Sequence, residues 1–166
     1  MALWDLKLLH VRQGTPITLV VRNEANPGNK DFDGHWGIWD EKFFQFFGNT
    51  LSGFQQPFAA ALFSLSSHHP FAVPAEYEGV FPKGNKAIRQ CIGYTDHALK
   101  LFFEKVSKEP WYKNTLFVFT ADHTNSPERP EYETESGLFS VPVVFYQPGS
   151  NLKGFRKDVI AQQIDI

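Results

Sequence analysis

The chain has 166 residues, and its sixteen basic and eighteen acidic side chains leave a net charge of −2. That length suits one domain, able to bury about 68–70% of the surface its unfolded form exposes, and the missing cationic excess argues against general nucleic-acid binding. Cys91 is the only cysteine, which excludes an internal disulfide, a secreted disulfide scaffold and a cysteine-rich zinc site.

Thr15 to Arg22 reads as a short β-branched strand, and the Asn, Pro, Gly and Asp residues from Asn23 to Gly34 read as a loop. Trp39 to Phe47 carries apolar residues at 39, 43, 44, 46 and 47, one face of a helix. Pro57 to Leu65 is a continuous apolar run, the pattern of a strand buried on both faces, although its alanines also suit a helix. Asn85 to Glu109 is the strongest helix, with Ile88, Cys91, Ile92, Thr95, Leu99, Phe102, Phe103 and Val106 on one stripe. Glu109-Pro110 ends it, because proline disfavours helical geometry in the preceding residue. Thr115 to Ala121 is a second buried-type strand, and Ser126 to Ser136 is a polar surface loop. Phe139 to Tyr146 is a third strand, in which Pro142 marks an edge or a start. Val159 to Ile166 begins a further helix. Strand, long helix and strand form a βαβ unit, so the expected fold is α/β with a parallel, layered sheet. Seventeen Phe residues make its core ring-rich.

No run approaches the about 20 apolar residues of a membrane span, and charges at Asp5, Lys7 and Arg12 break up a signal-peptide core. There is no Gly-rich phosphate loop, no Gly-x-Ser-x-Gly elbow and no His-Glu-x-x-His helix. Cys91 lies on the apolar helix stripe, as a core residue would.

Chemistry concentrates beyond strand ends, where ligand sites of open α/β sheets gather. Asp122 and His123 follow the Thr115–Ala121 strand, and carboxylate oxygen and imidazole nitrogen both suit Zn²⁺ or Mn²⁺. The bland reading of this pair is a loop-capping Asp beside a surface His. His68 and His69 follow the Pro57–Leu65 run in the same way, as anion-binding or proton-donating groups or as surface residues packed on Pro70 and Phe71. Asp31, Asp33, His35, Trp36, Trp39, Asp40 and Glu41 form a polar-aromatic cluster, either a pocket wall or a helix entry with acidic residues at the positive helix end. Asp96 sits mid-helix, where it is suited to bonding a neighbouring loop.

Six ordered stretches carry a wider resemblance: DFDGHWGIWDEKFFQFF (31–47), PFAAALFSLSSHHPF (57–71), CIGYTDHALKLFFEKV (91–106), WYKNTLFVFTADHTN (111–125), FSVPVVFYQPG (139–149) and QQIDI (162–166). Together they resemble the lipoteichoic acid synthase-like sulfatases of the alkaline phosphatase superfamily. The resemblance runs from about Asn26 to Ile166, which implies an unmatched segment 1–25 followed by a partial catalytic domain 26–166. It implies a layered alkaline-phosphatase/sulfatase-like sheet flanked by helices, incomplete, and metal-dependent attack of a threonine, or of a modified cysteine or serine in true sulfatases, on a sulfate or phosphate ester.

The family's Asp-His metal pair carries over to Asp122 and His123, with Mn²⁺ the foremost ion and Zn²⁺, Mg²⁺ or Ca²⁺ as alternatives. The first His of the Ser-x-His-x-Pro stretch maps to His68 on the substrate side, and the pocket tryptophan maps to Trp39. The synthase branch has an Arg two residues past its pocket Trp; here that position is Glu41, a departure from the pattern. The family's nucleophile and a further acidic ligand lie upstream of the matched region. Thr15, Thr18, Asp5 and Glu24 do not stand in the family's settings for them, so no nucleophile is assigned and the chain alone is expected to be inactive. The implied substrate is an anionic ester, including a glycerophosphate or glycan, and the implied setting is a membrane-anchored protein with an extracytoplasmic catalytic domain, although this chain carries no membrane segment. A non-catalytic anion- or glycan-binding module is the alternative.

Overall fold

The computed structural model describes the backbone of residues 8–11 and 18–20, and residues 28, 30–151, 153–156, 158–162 and 165 in full. It divides into two compact units, Met1–Glu109 and Pro110–Ile166. The expected strand at Thr15–Arg22 is seen within the described residues as Thr18–Val20, and Asp5, Thr15 and Glu24 lie outside them.

The first unit holds strands β1 (Leu8–Val11), β2 (Thr18–Val20) and β3 (Ala59–Ala61) and helices α1 (Asp40–Ser52) and α2 (Ile88–Val106). The strands form an antiparallel sheet in the order β2-β1-β3, with Leu9 opposite both Leu19 and Ala61. Helix α1 has no side-chain cap at Trp39, but Asp40 and Glu41 occupy its first turn, where negative charge complements the helix dipole. Helix α2 ends in a turn that Glu109 N–H closes on the Val106 carbonyl, just before Pro110.

The two helices pack through rings. Phe44 meets Phe102 edge to face at 6.3 Å, and Phe47 stacks on Phe102 at 5.9 Å. Gly48 makes the close approach possible, since a Cβ there would stand 3.2 Å from Val106 Cγ1. A second cluster joins Ile38 and Phe43 to Phe46, Leu62 and Leu65, and a third joins Val73, Cys91 and Tyr94 to Trp39, Phe71, Tyr77 and Phe81.

The buried stripe of α2 is Cys91, Tyr94, Ala98, Phe102 and Val106, with Ile92 55% exposed, so the helix is turned from the face that hydrophobicity alone marks. Tyr94 explains the turn: it is fully buried because its hydroxyl accepts the Glu41 N–H at 3.2 Å, which lets the large ring enter the core. The apolar run Pro57–Leu65 yields only three strand residues. Its alanines offer little area to bury, while Leu62 and Leu65 leave the strand to pack on Ile38 and Phe43.

The second unit holds β4 (Phe117–Thr120), the short helix α3 (Glu135–Leu138) and β5 (Val143–Tyr146). β4 and β5 pair antiparallel with Phe117 opposite Tyr146 and Val118 opposite Phe145. The α/β class stands, but within each unit the described strands pair antiparallel where the sequence suggested a parallel sheet. Hydrophobic runs mark strands without fixing their partners, and α2 is followed by a strand that pairs with its own successor. Pro142 stands immediately before β5, at a strand start, where its missing N–H is harmless. The polar loop at Ser126–Ser136 contains a single turn at Pro130–Tyr132 and the beginning of α3. Of the expected helix at Val159–Ile166, residues 159–162 are irregular, and 163, 164 and 166 lie outside the described residues.

Candidate functional site

Asp122 and His123 stand two and three residues past the end of β4, in an irregular turn. The Asp122 carboxylate accepts the His123 N–H at 2.9 Å, which folds the carboxylate toward the next residue. The imidazole Nε2 lies 3.6 Å from Asp122 Oδ2, while Nδ1 lies 3.1 Å from the Thr124 carbonyl oxygen. A carbonyl only accepts, so Nδ1 carries a proton, and Nε2 is the ring nitrogen on the carboxylate side. This is the arrangement by which a carbonyl orients a metal-binding histidine.

Helix α3 sets the turn in place. Thr134 caps it by accepting the Gly137 N–H at 3.0 Å, Thr124 N–H donates to the Leu138 carbonyl, and the Phe139 ring meets His123 edge-on at 6.4 Å. Gly137 is confined, because a Cβ there would run into the Glu131 carbonyl oxygen.

The donor set fits a divalent ion in kind, with one carboxylate and one oriented imidazole facing each other. It does not complete a site: among the described residues no group of three or more His, Cys, Asp or Glu side chains converges on one point. Catalytic zinc sites have about three protein ligands, so two donors alone fall short of one.

His68 and Trp39 belong to the first unit. A tight loop precedes α1, closed by the bridge between Phe32 and Ile38. Asp33 Oδ1 accepts the N–H groups of His35, Trp36 and Gly37 at 2.7–3.0 Å. The Trp36 indole then reaches the loop after β3: its Nε1–H donates to the His69 carbonyl at 2.7 Å, and its ring lies 4.2 Å from the His68 ring. His68 Nδ1 donates to the same carbonyl at 3.1 Å, leaving Nε2 as the ring's outward nitrogen. Asp33, His35, Trp36, Trp39, His68 and His69 line a shallow cleft. Trp39 takes part in it, but its ring also packs at a right angle on Tyr94, 6.1 Å away. Trp36 is the tryptophan in contact with the histidines, and its place in the polar-aromatic cluster was the only sequence signal for it.

Asp40 lies beneath this cleft, 1% exposed. Burial raises its carboxyl above the ordinary 3.8, although hydrogen bonds from Thr95, Ser66 and Leu65 oppose the shift. Thr95, and not the exposed Asp96, is the α2 residue that bonds to Asp40. Glu41 faces a different set. Burial alone would raise it, but hydrogen bonds from Tyr77 and Lys42 prevail and hold it below 4.5. Tyr77 donates to Glu41 Oε2 at 2.5 Å, lies 3.2 Å from His97 Nε2, and has its own hydroxyl pushed up to about 12, chiefly by the carboxylate it bonds. The Cys91 thiol is fully buried and pushed up to about 11 by that burial, the state of a core residue and not of a nucleophile.

The sequence model described as Sulfatase matches residues 11–166. The lipoteichoic acid synthase-like protein YvgJ of Bacillus subtilis (strain 168) is 29% identical over 93 residues, 53% of this chain and 15% of that protein. Lipoteichoic acid synthase 1 of the same organism is 30% identical over 98 residues, 55% of this chain and again 15% of the relative. A solved structure of a protein in the alkaline phosphatase superfamily from Vibrio parahaemolyticus superposes with a TM-score of 0.56 at 26% identity, covering 74% of this chain and 30% of that one. The chain thus spans under a third of that structure and about a seventh of the curated relatives.

Proposed function

The chain belongs to the sulfatase family, and from that premise we propose that it contributes part of the active site of an enzyme acting on sulfate or phosphate esters. Asp122 and His123 are two donors to a divalent ion, Mn²⁺ foremost, with Zn²⁺, Mg²⁺ or Ca²⁺ as alternatives. When bound, such an ion supplies Lewis-acid neutralisation of oxyanion charge. The chain's own residues do the rest. In the second unit Thr124 fixes the His123 tautomer; in the first unit, taken by itself, His68, with Nδ1 committed to a carbonyl, offers Nε2 to an anionic oxygen, as a donor when protonated. Trp39 and Trp36 wall the cleft beside it. No group among the described residues is assigned as nucleophile, and little turnover is expected of this chain by itself.

The observation that carries this reading is the 3.6 Å approach of His123 Nε2 to Asp122 Oδ2 with Nδ1 held by a carbonyl. Isothermal titration of Mn²⁺ into the chain tests it. Weak binding that Asp122→Ala or His123→Ala abolishes is expected; binding equal in wild type and both variants defeats the assignment.

A second reading has its own observation. The cleft of Trp36, His68 and His69 is assembled within residues 33–72 and includes neither Asp122 nor His123. A non-catalytic module for anions or glycans is thus the alternative, and anionic-sugar binding with no response to Mn²⁺ would favour it.

A further inference from the structure

We propose that Asp40 is a positioning residue for His68: its buried carboxylate sets the backbone of the loop that carries the substrate-facing histidine. The inference rests on the reading of His68 given above and adds the group that places it.

A side chain at the first position of a helix ordinarily faces solvent, where a carboxylate costs nothing. Asp40 instead enters the protein and gathers three segments. Its Oδ1 accepts the N–H groups of Leu65 at 3.2 Å and Ser66 at 3.3 Å. Its Oδ2 accepts the Thr95 hydroxyl of α2 at 2.7 Å. Its own N–H donates to Ser66 Oγ at 3.0 Å, so α1 and Ser66 are tied in both directions. The next link is short: the Leu65 carbonyl, on the residue whose N–H Asp40 holds, accepts the His68 N–H at 3.0 Å.

The far side of the loop is pinned as well. Trp36 holds the His69 carbonyl, and the Gln90 amide donates to the Phe71 carbonyl at 2.8 Å. Between these anchors Phe71 adopts φ +62°, a left-handed conformation that a bulky residue sustains only when its surroundings impose it. A core that needed only cohesion would fill the Asp40 position with an apolar side chain, since buried polar networks add little net stability. A carboxylate that aims two backbone N–H groups one turn before a histidine instead fixes direction.

The test reads direction apart from stability. In ¹H–¹⁵N spectra of the whole chain, the Trp36 indole N–H and the His68 ring resonances report the loop. Asp40→Ala removes the acceptor of all three donors, so both resonances should shift. Thr95→Val removes only the Oδ2 partner and should shift them less, in the same direction. Phe102→Leu, a destabilising change in the helix core, should leave them in place. The proposal is overturned if Asp40→Ala leaves both at their wild-type positions, or if Phe102→Leu displaces them equally. Should Asp40→Ala fail to fold, Thr95→Val and Ser66→Ala decide the matter by the same resonances. Titration of the wild-type chain with inorganic phosphate separates the two claims: absence of any His68 response defeats the substrate-facing reading, while the variant shifts still decide whether Asp40 places the loop.

Discussion

In the helical unit Phe43, Tyr94 and Phe102 are buried, with Tyr94 at 0% exposure, whereas in the β4–β5 ribbon Val144 is 50% and Phe145 54% exposed. The ribbon strands are the more apolar in sequence, and the two regions differ in what each pattern requires. An amphipathic helix has one face to cover, and α1 and α2 cover each other. A strand that is apolar at successive positions needs layers on both sides. Phe117 and Phe119 share one face of the ribbon with Val144 and Tyr146, and Val118 shares the other with Phe145. The described residues cover neither face fully, so the helical unit carries its own stability and the ribbon carries little.

The sharpest attack on that contrast is Phe102→Ala. Phe102 is buried and touches Phe44, Phe47 and Phe103, so about 3–5 kcal/mol should be lost in urea unfolding. A loss below about 1 kcal/mol would mean the helices are not the stable region. Next is Gly137→Ala in the second unit, where the new Cβ meets a backbone carbonyl. Overpacking of this kind costs about 1–3 kcal/mol, and the His123 resonances should move as α3 leaves its seat. Unchanged spectra would show that α3 does not hold the turn.

Two adjacent carboxylates sharpen the comparison through pH. The folded Asp40 keeps its proton above 3.8, where the unfolded chain has lost it. Its contribution is therefore complete below pH 3.8 and declines as pH rises through the raised folded value. Glu41 is the reverse: lowered beneath 4.5, it contributes fully above pH 4.5 and loses this as pH falls through its depressed folded value. Denaturant midpoints across mildly acidic pH should show Asp40→Asn and Glu41→Gln altering the slope with opposite signs. Equal signs would contradict the assigned environments. The smallest effect belongs to the ribbon: Phe145→Ser should change stability by no more than about 0.5 kcal/mol. A loss above about 1.5 kcal/mol would show a cover on that face and erase the contrast.

The helices were legible in the sequence because their cause is local. Periodicity at three and four residues brackets α2, and Pro110 marks its end. The rotation of α2 was not legible, since it depends on a hydroxyl of Tyr94 meeting a backbone N–H 53 residues away. Strand partners were illegible for a related reason: hydrophobic runs reveal a strand without naming its neighbour. The family was readable from six ordered stretches, and Asp122, His123, His68 and Trp39 were singled out with them. Asp40 was visible only as an acidic residue at a helix start. Its actual partners, Leu65, Ser66 and Thr95, lie 25 to 55 positions away, beyond any local pattern.

The bond from His123 Nδ1 to the Thr124 carbonyl has a consequence for how such a centre is assembled. The adjoining peptide sets the ring's heading while α3 and Phe139 hold the turn, so on the proposed metal-binding reading the pair is arranged before any cation arrives. An incoming ion need not spend affinity on choosing a tautomer or arresting a rotating ring, and missing donors brought from elsewhere would meet a partner already facing them.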